Sequence, residues 1–287
     1  KQKGNVEATG TAATGSTTQS IGGGGGHAFI DLDHYRGQQV TARIDQGGKD
    51  ITDSAGGDVS GEREGDVMLV ADSGTGIGVQ SIGGGGGSSV AGFNGREVPA
   101  RPERVPAQAD AGLAAPTLAR AAAPVPEALL APAAVDPVIP GRTPGVAVRS
   151  RFGSDGGSDN HGGMIDLVTA GDLVSRGGGV VGVLLQSIGA GGGDSRLSGV
   201  DRLATTLGGG NGASGDGSDV ALANRGAVSV QGRNALGIVM QSIGGGGGLQ
   251  LSDARRLDVD LSDDNEGDGG DISLYQAGRV SASGIES

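Results

Sequence analysis

The chain has 287 residues, of which 62 are Gly, and its aromatic residues are three Phe and two Tyr. A chain of this length with so few large side chains cannot fill one thick core and exclude water from it. We therefore expect either a thin aliphatic core or extensive disorder. The absence of Cys excludes disulfides and thiolate metal sites, and the 33 acidic against 21 basic residues predict no binding to nucleic acid.

An internal repeat organises most of the sequence. The string Gln-Ser-Ile-Gly occurs four times, and a glycine-rich tract follows each occurrence. The four strings begin at Gln19, Gln80, Gln186 and Gln241. Their spacings are 61, 106 and 55 residues, and self-similarity at a regular period indicates a stacked repeat architecture.

The first two copies depart from the pattern of the later ones. In the first copy, Ser16, Thr17 and Thr18 stand where later copies have aliphatic residues, which predicts a frayed terminal repeat of lower order. In the second copy, the stretch from Asp66 to Gln80 is short, which predicts the loss of one strand. Together these copies predict a β-helical region over residues 1–96.

A proline-rich segment separates the second copy from the third. All ten prolines lie between Pro99 and Pro144, in Pro/Ala-rich text that is typical of an extended or disordered segment. Removing residues 97–145 reduces the long spacing to 57, which is close to the other two. We therefore interpret residues 97–149 as an insertion, with the β-helix repeats resuming over residues 150–287.

The third and fourth copies show the clearest strand pattern. Aliphatic residues alternate with small or polar ones in short segments separated by Gly, and this period of two predicts β-strands. The positions of the fourth copy expected to face the core are Val220, Leu222, Val228, Val230, Ile238 and Met240. A fifth copy begins at Asp271, so we expect the chain to start and stop within a repeat, as a piece of a longer array.

These short strands predict an all-β parallel β-helix. Three strands joined by tight turns would form one triangular coil, and a looser second coil is expected within each copy, for example over residues 249–262. Equivalent glutamines would then lie more than one coil apart, so we expect their amides to bond main-chain groups of the turn. The glycine tracts are expected to form flexible loops, because ordering them costs conformational entropy.

Two kinds of polar segment are candidate metal sites. One is the cluster of His27, Asp31, Asp33 and His34, for which a solvent-facing loop is the favoured interpretation. The others are Asp- and Gly-rich turns whose oxygen atoms are suited to weak Ca²⁺ binding. These turns span residues 153–163, 214–219 and 263–271. The calcium-binding nonapeptide does not recur in tandem, so solvated turns are favoured and no metal or cofactor is predicted.

Catalysis is not predicted either. The glycine tracts are not followed by Gly-Lys-Ser/Thr and have no strand-then-helix context, which argues against phosphate binding. Paired carboxylates with aromatic platforms, which polysaccharide-cleaving sites need, do not stand out, and the serines have no evident His and acid partners. We therefore assign no catalytic or cofactor-binding residue and expect that the protein is not an enzyme.

The repeated text resembles a known family. The segments GIGVQSIGGGGG, GVLLQSIGAGGG and GIVMQSIGGGGG resemble repeats in the passenger regions of large Gram-negative autotransporter proteins. The resemblance implies a right-handed parallel β-helix (solenoid) exported to the cell surface through a C-terminal translocator barrel of the full-length protein. It also implies a stalk that serves adhesion or display, with an unidentified host or matrix ligand as its partner.

Two alternatives stay open. Some secreted β-helices cleave polysaccharides, and a degenerate repeat fragment could be partly disordered without an independent fold. No run of 18 apolar residues occurs, so this segment is not expected to insert into a membrane as a helix. The lack of clustered Lys also argues against attraction to anionic lipid.

Overall fold

Parallel strand pairing dominates the structure. The computed structural model describes residues 1–31, 40–50, 52–92, 146–198, 200–252, 254, 256–261 and 265–284. Within these ranges the chain forms 22 β-strands and no helix, so it has no helix there that could cross a membrane. The all-β class predicted from the sequence is confirmed.

Two five-stranded sheets contain a strand from every copy. Sheet 1 consists of β1 (Gln2–Lys3), β6 (Val59–Glu64), β11 (Ile165–Ala170), β16 (Val220–Asn224) and β21 (Ile272–Gln276), in that spatial order. Sheet 2 consists of β2 (Val6–Thr9), β7 (Val67–Val70), β12 (Leu173–Arg176), β17 (Val228–Gln231) and β22 (Val280–Ser283). The fifth copy therefore begins where its sequence predicts.

The other three sheets have four strands each, one from each of the first four copies. Sheet 3 consists of β3 (Thr14–Ile21), β8 (Thr75–Ile82), β13 (Val181–Ile188) and β18 (Leu236–Ile243). Sheet 4 consists of β4 (Gly25–Asp31), β9 (Gly86–Gly92), β14 (Gly192–Ser198) and β19 (Gly247–Ser252). Sheet 5 consists of β5 (Val40–Gln46), β10 (Val146–Phe152), β15 (Arg202–Leu207) and β20 (Arg256–Leu261).

Each copy is itself the unit that stacks, which corrects the expectation of triangular three-stranded coils. A strand pairs with the equivalent strand of the next copy, so that Leu173 lies beside Val228 and Gln186 beside Gln241. The expected looser second coil is instead β19 and β20, two regular strands of sheets 4 and 5. One whole copy thus advances the stack by one strand spacing, about 4.8 Å.

The second copy has its full set of strands, so the predicted loss of one strand is wrong. Strand β6 pairs in register with both β1 and β11. Its inward positions Gly61 and Arg63 lie beside Leu167 and Thr169, so an apolar alternation is missing from the sequence. The Arg63 side chain is buried and donates to the carbonyl O of Gly65, which explains how a charged residue fits this position.

The first copy also forms its strand in sheet 3. Ser16 and Thr18 pair with Ile77 and Val79 of β8, so hydroxyl groups occupy positions that are aliphatic in the next copy. This strand lies at the edge of the sheet, where polar side chains hinder pairing with another chain. The lower order predicted for residues 4–19 stays a prediction, which hydrogen exchange would measure.

Two aliphatic cores lie along the stack. The first core is formed by sheets 1, 2 and 3, and it contains Val220, Leu222, Val228 and Val230, each no more than 2% exposed. Ile238 and Met240 are partly buried and pack against it, as predicted. Burying one such side chain stabilises the fold by about 1.5–3 kcal/mol, so rows of them compensate for the scarcity of aromatic residues.

The second core lies between sheets 4 and 5. Its members come mainly from β10 and β15, and they include the aromatic residue Phe152, which is fully buried, together with Val148, Leu197 and Leu203. Residues 146–149, which the sequence assigns to the insertion, belong instead to β10 and supply part of this core. The rest of the predicted insertion, residues 97–145, lies outside the described residues.

Candidate functional site

The four glutamines of the repeated string form a continuous amide ladder in sheet 3. Nε2 of Gln80 donates to Oε1 of Gln186 at 2.6 Å, and Nε2 of Gln186 donates to Oε1 of Gln241 at 2.7 Å. Gln19 donates to Gln80 in the same direction. Gln80 and Gln186 are almost fully buried, so these bonds satisfy groups that water does not reach.

This ladder overturns the expectation that the equivalent glutamines are too far apart to meet. That expectation followed from placing two coils in each copy, and one strand per sheet and copy brings the amides together instead. The expectation that these amides bond main-chain groups is confirmed, because Nε2 of Gln186 and of Gln241 contact the carbonyl O of Gly193 and Gly248, each at 3.4 Å. The amides therefore join neighbouring copies and also join sheet 3 to sheet 4.

The serine of the string joins sheet 3 to the segment that precedes sheet 1. Oγ of Ser187 donates to the carbonyl O of Gly163 at 2.9 Å and accepts from the backbone N–H of Ser218 at 2.8 Å. Ser81 makes the equivalent pair of bonds one copy earlier, with Gly57 and Gly163. Each hydroxyl thus links its own copy to the next one.

The glycine tracts are packed parts of sheet 4, so the expectation of flexible loops is wrong. Strands β9, β14 and β19 begin within the tracts and pair glycine to glycine. At Gly193 the backbone φ is +140°, and a Cβ there would overlap the carbonyl O of Gly87 in the preceding copy. Ala190 interrupts its tract at a φ of +58°, in the left-handed region that an L-residue can adopt.

A buried ion pair lies in β14 of sheet 4. Nε of Arg196 donates to Oδ1 of Asp194 at 3.1 Å, and Nη2 lies 2.8 Å from Oδ2 without hydrogen-bond alignment. Nη1 of Arg196 donates to the carbonyl O of Gly74 at 2.5 Å. Burial, which disfavours the charged carboxylate, raises the pKa of Asp194 above its ordinary value, and Arg196 offsets this only in part.

This ion pair was not predicted from the sequence. The two neighbouring copies have Ser88 and Val90, or Leu249 and Leu251, at the positions of Asp194 and Arg196. The signal that marks it is a charged Asp-x-Arg alternation in one copy, at positions that are apolar or small in its neighbours. Such a signal is indistinguishable from an exposed surface pair until both faces of sheet 4 are known to be covered.

A small cavity lies next to the ion pair. Its lining includes Thr17, Gly78, Gln80, Ser88, Leu184 and Asp194, and its volume is about 10 Å³. That volume is about enough for one water molecule and is far too small for a sugar or a nucleotide. Gly78 has no side chain to fill this space, whereas the neighbouring strand has Leu184 at the same register position.

Filling the cavity is expected to be tolerated. In Gly78→Ala the new methyl group would meet the side chains of Thr75 and Thr17 at 3.5 and 3.6 Å, which are ordinary contacts. We expect the free energy of unfolding to stay the same or to rise by up to about 1 kcal/mol, measured by urea denaturation. A loss of more than about 1 kcal/mol would show that the cavity is needed.

The predicted His/Asp metal cluster is only partly described. His27 is exposed in β4, at whose end Asp31 lies, and Asp33 and His34 lie outside the described residues. His27 pairs with Ser88, beyond which Asp194 lies, so serine stands between the histidine and the aspartate. That order differs from a catalytic triad, in which the histidine lies between the other two.

Aspartates of the Asp- and Gly-rich turns serve as backbone acceptors. Oδ1 of Asp216 accepts from the N–H of Asp268, and Oδ1 of Asp219 accepts from the N–H of Asp271, both at 2.8 Å. Each bond links one copy to the next. In the described part of the chain no group of three or more His, Asp or Glu side chains is placed to hold a metal ion.

The site therefore consists of structural contacts between copies, repeated with little change along the stack. The buried groups that sequence analysis left unassigned, Asp194 and Arg196, contact each other and Gly74. Comparisons of the chain with protein-family models, with curated proteins and with solved structures found no match.

Proposed function

We propose that this chain is a structural segment of a surface-exposed autotransporter passenger, in which the stacked copies form a right-handed parallel β-helix that serves adhesion or cell-surface display. The observation that carries the proposal is the parallel pairing of equivalent strands in all five sheets. A stack built this way is stabilised by nearest-neighbour contacts and can be lengthened by adding copies.

The contacts of the repeated string support a structural role. Its glutamines bond to the equivalent glutamines of neighbouring copies, its serine hydroxyl accepts from a backbone N–H of the next copy, and Ile82 and Ile188 are fully buried. Recurrence of the string is thus explained by stacking alone, without a ligand.

The number of strands in each copy bears on how such a segment would work. A triangular coil would advance one strand spacing for roughly 20 residues, whereas here about 57 residues give the same advance of about 4.8 Å. A passenger built from these copies would gain length slowly and would offer wide sheet faces instead. We therefore propose that it acts through those faces and less through its reach.

Export and adhesion can be tested directly. The chain would be placed between a secretion signal and an autotransporter barrel, and intact cells would be probed with an antibody and with surfaces coated with matrix polysaccharide. We expect antibody binding without cell lysis and retention of the cells on the coated surface. A matched strain that displays an unrelated domain on the same barrel is the control.

Two results would contradict the proposal. Release of reducing sugar ends from the polysaccharide by the purified chain would favour the secreted enzyme. Failure of the exported chain to retain cells better than the control domain would remove the adhesive function.

A further inference from the structure

Five arginines lie on the outer face of sheet 5. They alternate along their strands with residues that face the second core, such as Val148, Phe152 and Leu203, and therefore point away from it. We call these five arginines the arginine face: Arg43, Arg149, Arg151, Arg202 and Arg256. Such a cluster is notable in a chain whose net charge is −12.

Register places several of these arginines side by side. Arg43 pairs with Arg149 across β5 and β10, and Arg202 pairs with Arg256 across β15 and β20. Arg149 lies diagonally next to Arg202, because the partner of Arg202 is Ala147. Like charges directly opposite each other destabilise a sheet, so the fold alone does not explain this arrangement.

Three of the guanidinium groups are not paired with acids in the described part of the chain. Arg43 pairs with Asp45 at 2.6 Å, and Arg151 pairs with Asp155 at 3.1 Å. Arg149, Arg202 and Arg256 form no ion pair with a described residue, and all three are exposed. Within the described residues the face therefore offers three cations without an acidic partner, two of them directly opposite each other and the third on the diagonal.

The surrounding charges restrict what can bind this row. Asp258 and Asp260 lie on the same face of β20, so positive charge is confined to a narrow strip. A nucleic-acid duplex, which has one negative charge for about every 1.7 Å, would meet both the strip and the repelling acids. A single polysaccharide chain with widely spaced carboxylates or sulfates can follow the strip alone.

We propose that the arginine face binds a linear anionic polysaccharide, whose carboxylate or sulfate groups accept paired hydrogen bonds from Arg149, Arg202 and Arg256. The planar guanidinium matches such groups in two-point contacts, which are stronger than neutral hydrogen bonds. The exposed outer face of sheet 5 gives access to an extended polymer. This inference rests on the proposed adhesive function and names the ligand class and the surface for it.

The test compares two double variants of the whole chain. Arg202→Ser with Arg256→Ser removes two cations from the face, and Arg225→Ser with Arg279→Ser removes two exposed cations from turns between sheets 1 and 2. Binding of fluorescent polygalacturonate and of heparin would be measured by polarisation at low and moderate salt, with a DNA duplex as the third probe.

We expect the first variant to bind polygalacturonate, heparin or both about tenfold more weakly than the unmodified chain. We expect the control variant to stay within about twofold, because the change in net charge is the same and screening limits its reach. A preference for heparin would identify sulfate groups, and a preference for polygalacturonate would identify carboxylates. Circular dichroism would confirm that both variants keep their strands.

Three results would overturn the proposal that the arginine face binds an anionic polysaccharide. These are equal weakening in the two variants, unchanged binding in the first variant, and tighter binding of DNA than of either polysaccharide. The adhesion assay separates this failure from that of the proposed function. If cells that display the Arg202→Ser/Arg256→Ser chain still adhere, the arginine face is wrong and the adhesive function remains.

Discussion

Replacing Gly193 with alanine is expected to destabilise the fold by more than about 4 kcal/mol, a loss that few single substitutions cause. Two effects combine at this position. The backbone φ of +140° is strained for any residue with a Cβ, and the new methyl group would overlap the carbonyl O of Gly87. The overlap can be relieved only if β14 moves away from β9, which breaks parallel pairing in the buried middle of sheet 4.

A matched control separates the two effects. Gly26 occupies the same position in the first copy with a φ of +139°, but a Cβ there would have no atom within 4 Å. Gly26→Ala should therefore cost only the backbone strain, about 1–3 kcal/mol. Gly248→Ala, which would overlap Gly193 from the outermost strand of sheet 4, should fall between them because β19 can move outward. Denaturant unfolding followed by circular dichroism measures all three, and equal losses for Gly193 and Gly26 would refute the role of close stacking.

Replacing Gln186 with leucine is expected to lower the free energy of unfolding by about 2–5 kcal/mol. The substitution leaves Nε2 of Gln80 and Oε1 of Gln241 without their partners. Gln80 is 2% exposed, so water cannot replace its lost bond, and unsatisfied buried groups are costly. The measurement is again denaturant unfolding.

The control for this prediction is Gln19→Leu. Gln19 lies at the end of the ladder in a half-buried position and, among the described residues, its side chain bonds to Gln80 alone. Its removal should cost less, about 1–2 kcal/mol, because only Oε1 of Gln80 loses its partner, whereas Gln186→Leu leaves one unsatisfied group on each side. If the two substitutions cost the same, burial within the ladder is not what makes it stabilising.

Replacing Gln186 with glutamate gives a second test through pH. A carboxylate can accept from Gln80 but cannot donate to Gln241, whereas the protonated acid can do both. Burial raises the pKa of such a carboxyl group above its unfolded value of about 4.3. The variant should therefore be closest to the unmodified protein below about pH 4 and should lose stability as the pH rises. A pH-independent difference between the two proteins would contradict the ladder.

The repeated elements of this fold were predictable from sequence because they satisfy one simple physical rule. Alternation of aliphatic and small residues at Val220, Leu222, Val228 and Val230 indicates strands with one buried face, and all four side chains are buried. Counting back 21 and 13 residues from Gln186 and from Gln241 aligns Ile165 with Val220 and Leu173 with Val228, and these residues are paired in the structure. A one-residue slip would expose a whole row of aliphatic side chains, so the pattern also determines the register.

Strands without that alternation were missed, and so were contacts between copies. Strand β6 has Gly61 and Arg63 at inward positions, so its own sequence lacks the aliphatic alternation that would predict a buried face, and its position depends on the strands beside it. The pair of Asp194 and Arg196 looks like surface charge until the fold shows that both side chains are almost fully buried and that Arg196 bonds to Gly74. The arginine face likewise requires the register of four strands from four copies.

The amino-acid sequence by itself determined that this protein is all-β, that its copies stack, and which aliphatic side chains are buried, because these properties follow from local alternation and period. Only the tertiary structure decided that a whole copy of five strands, and not a three-stranded coil, is the stacking unit. The sequence period gives the distance between equivalent positions, but not how many strands the chain forms before an equivalent strand pairs with the previous copy. Because one copy makes one strand in each sheet, Gln80 lies beside Gln186 and the glycine tracts of neighbouring copies pack together.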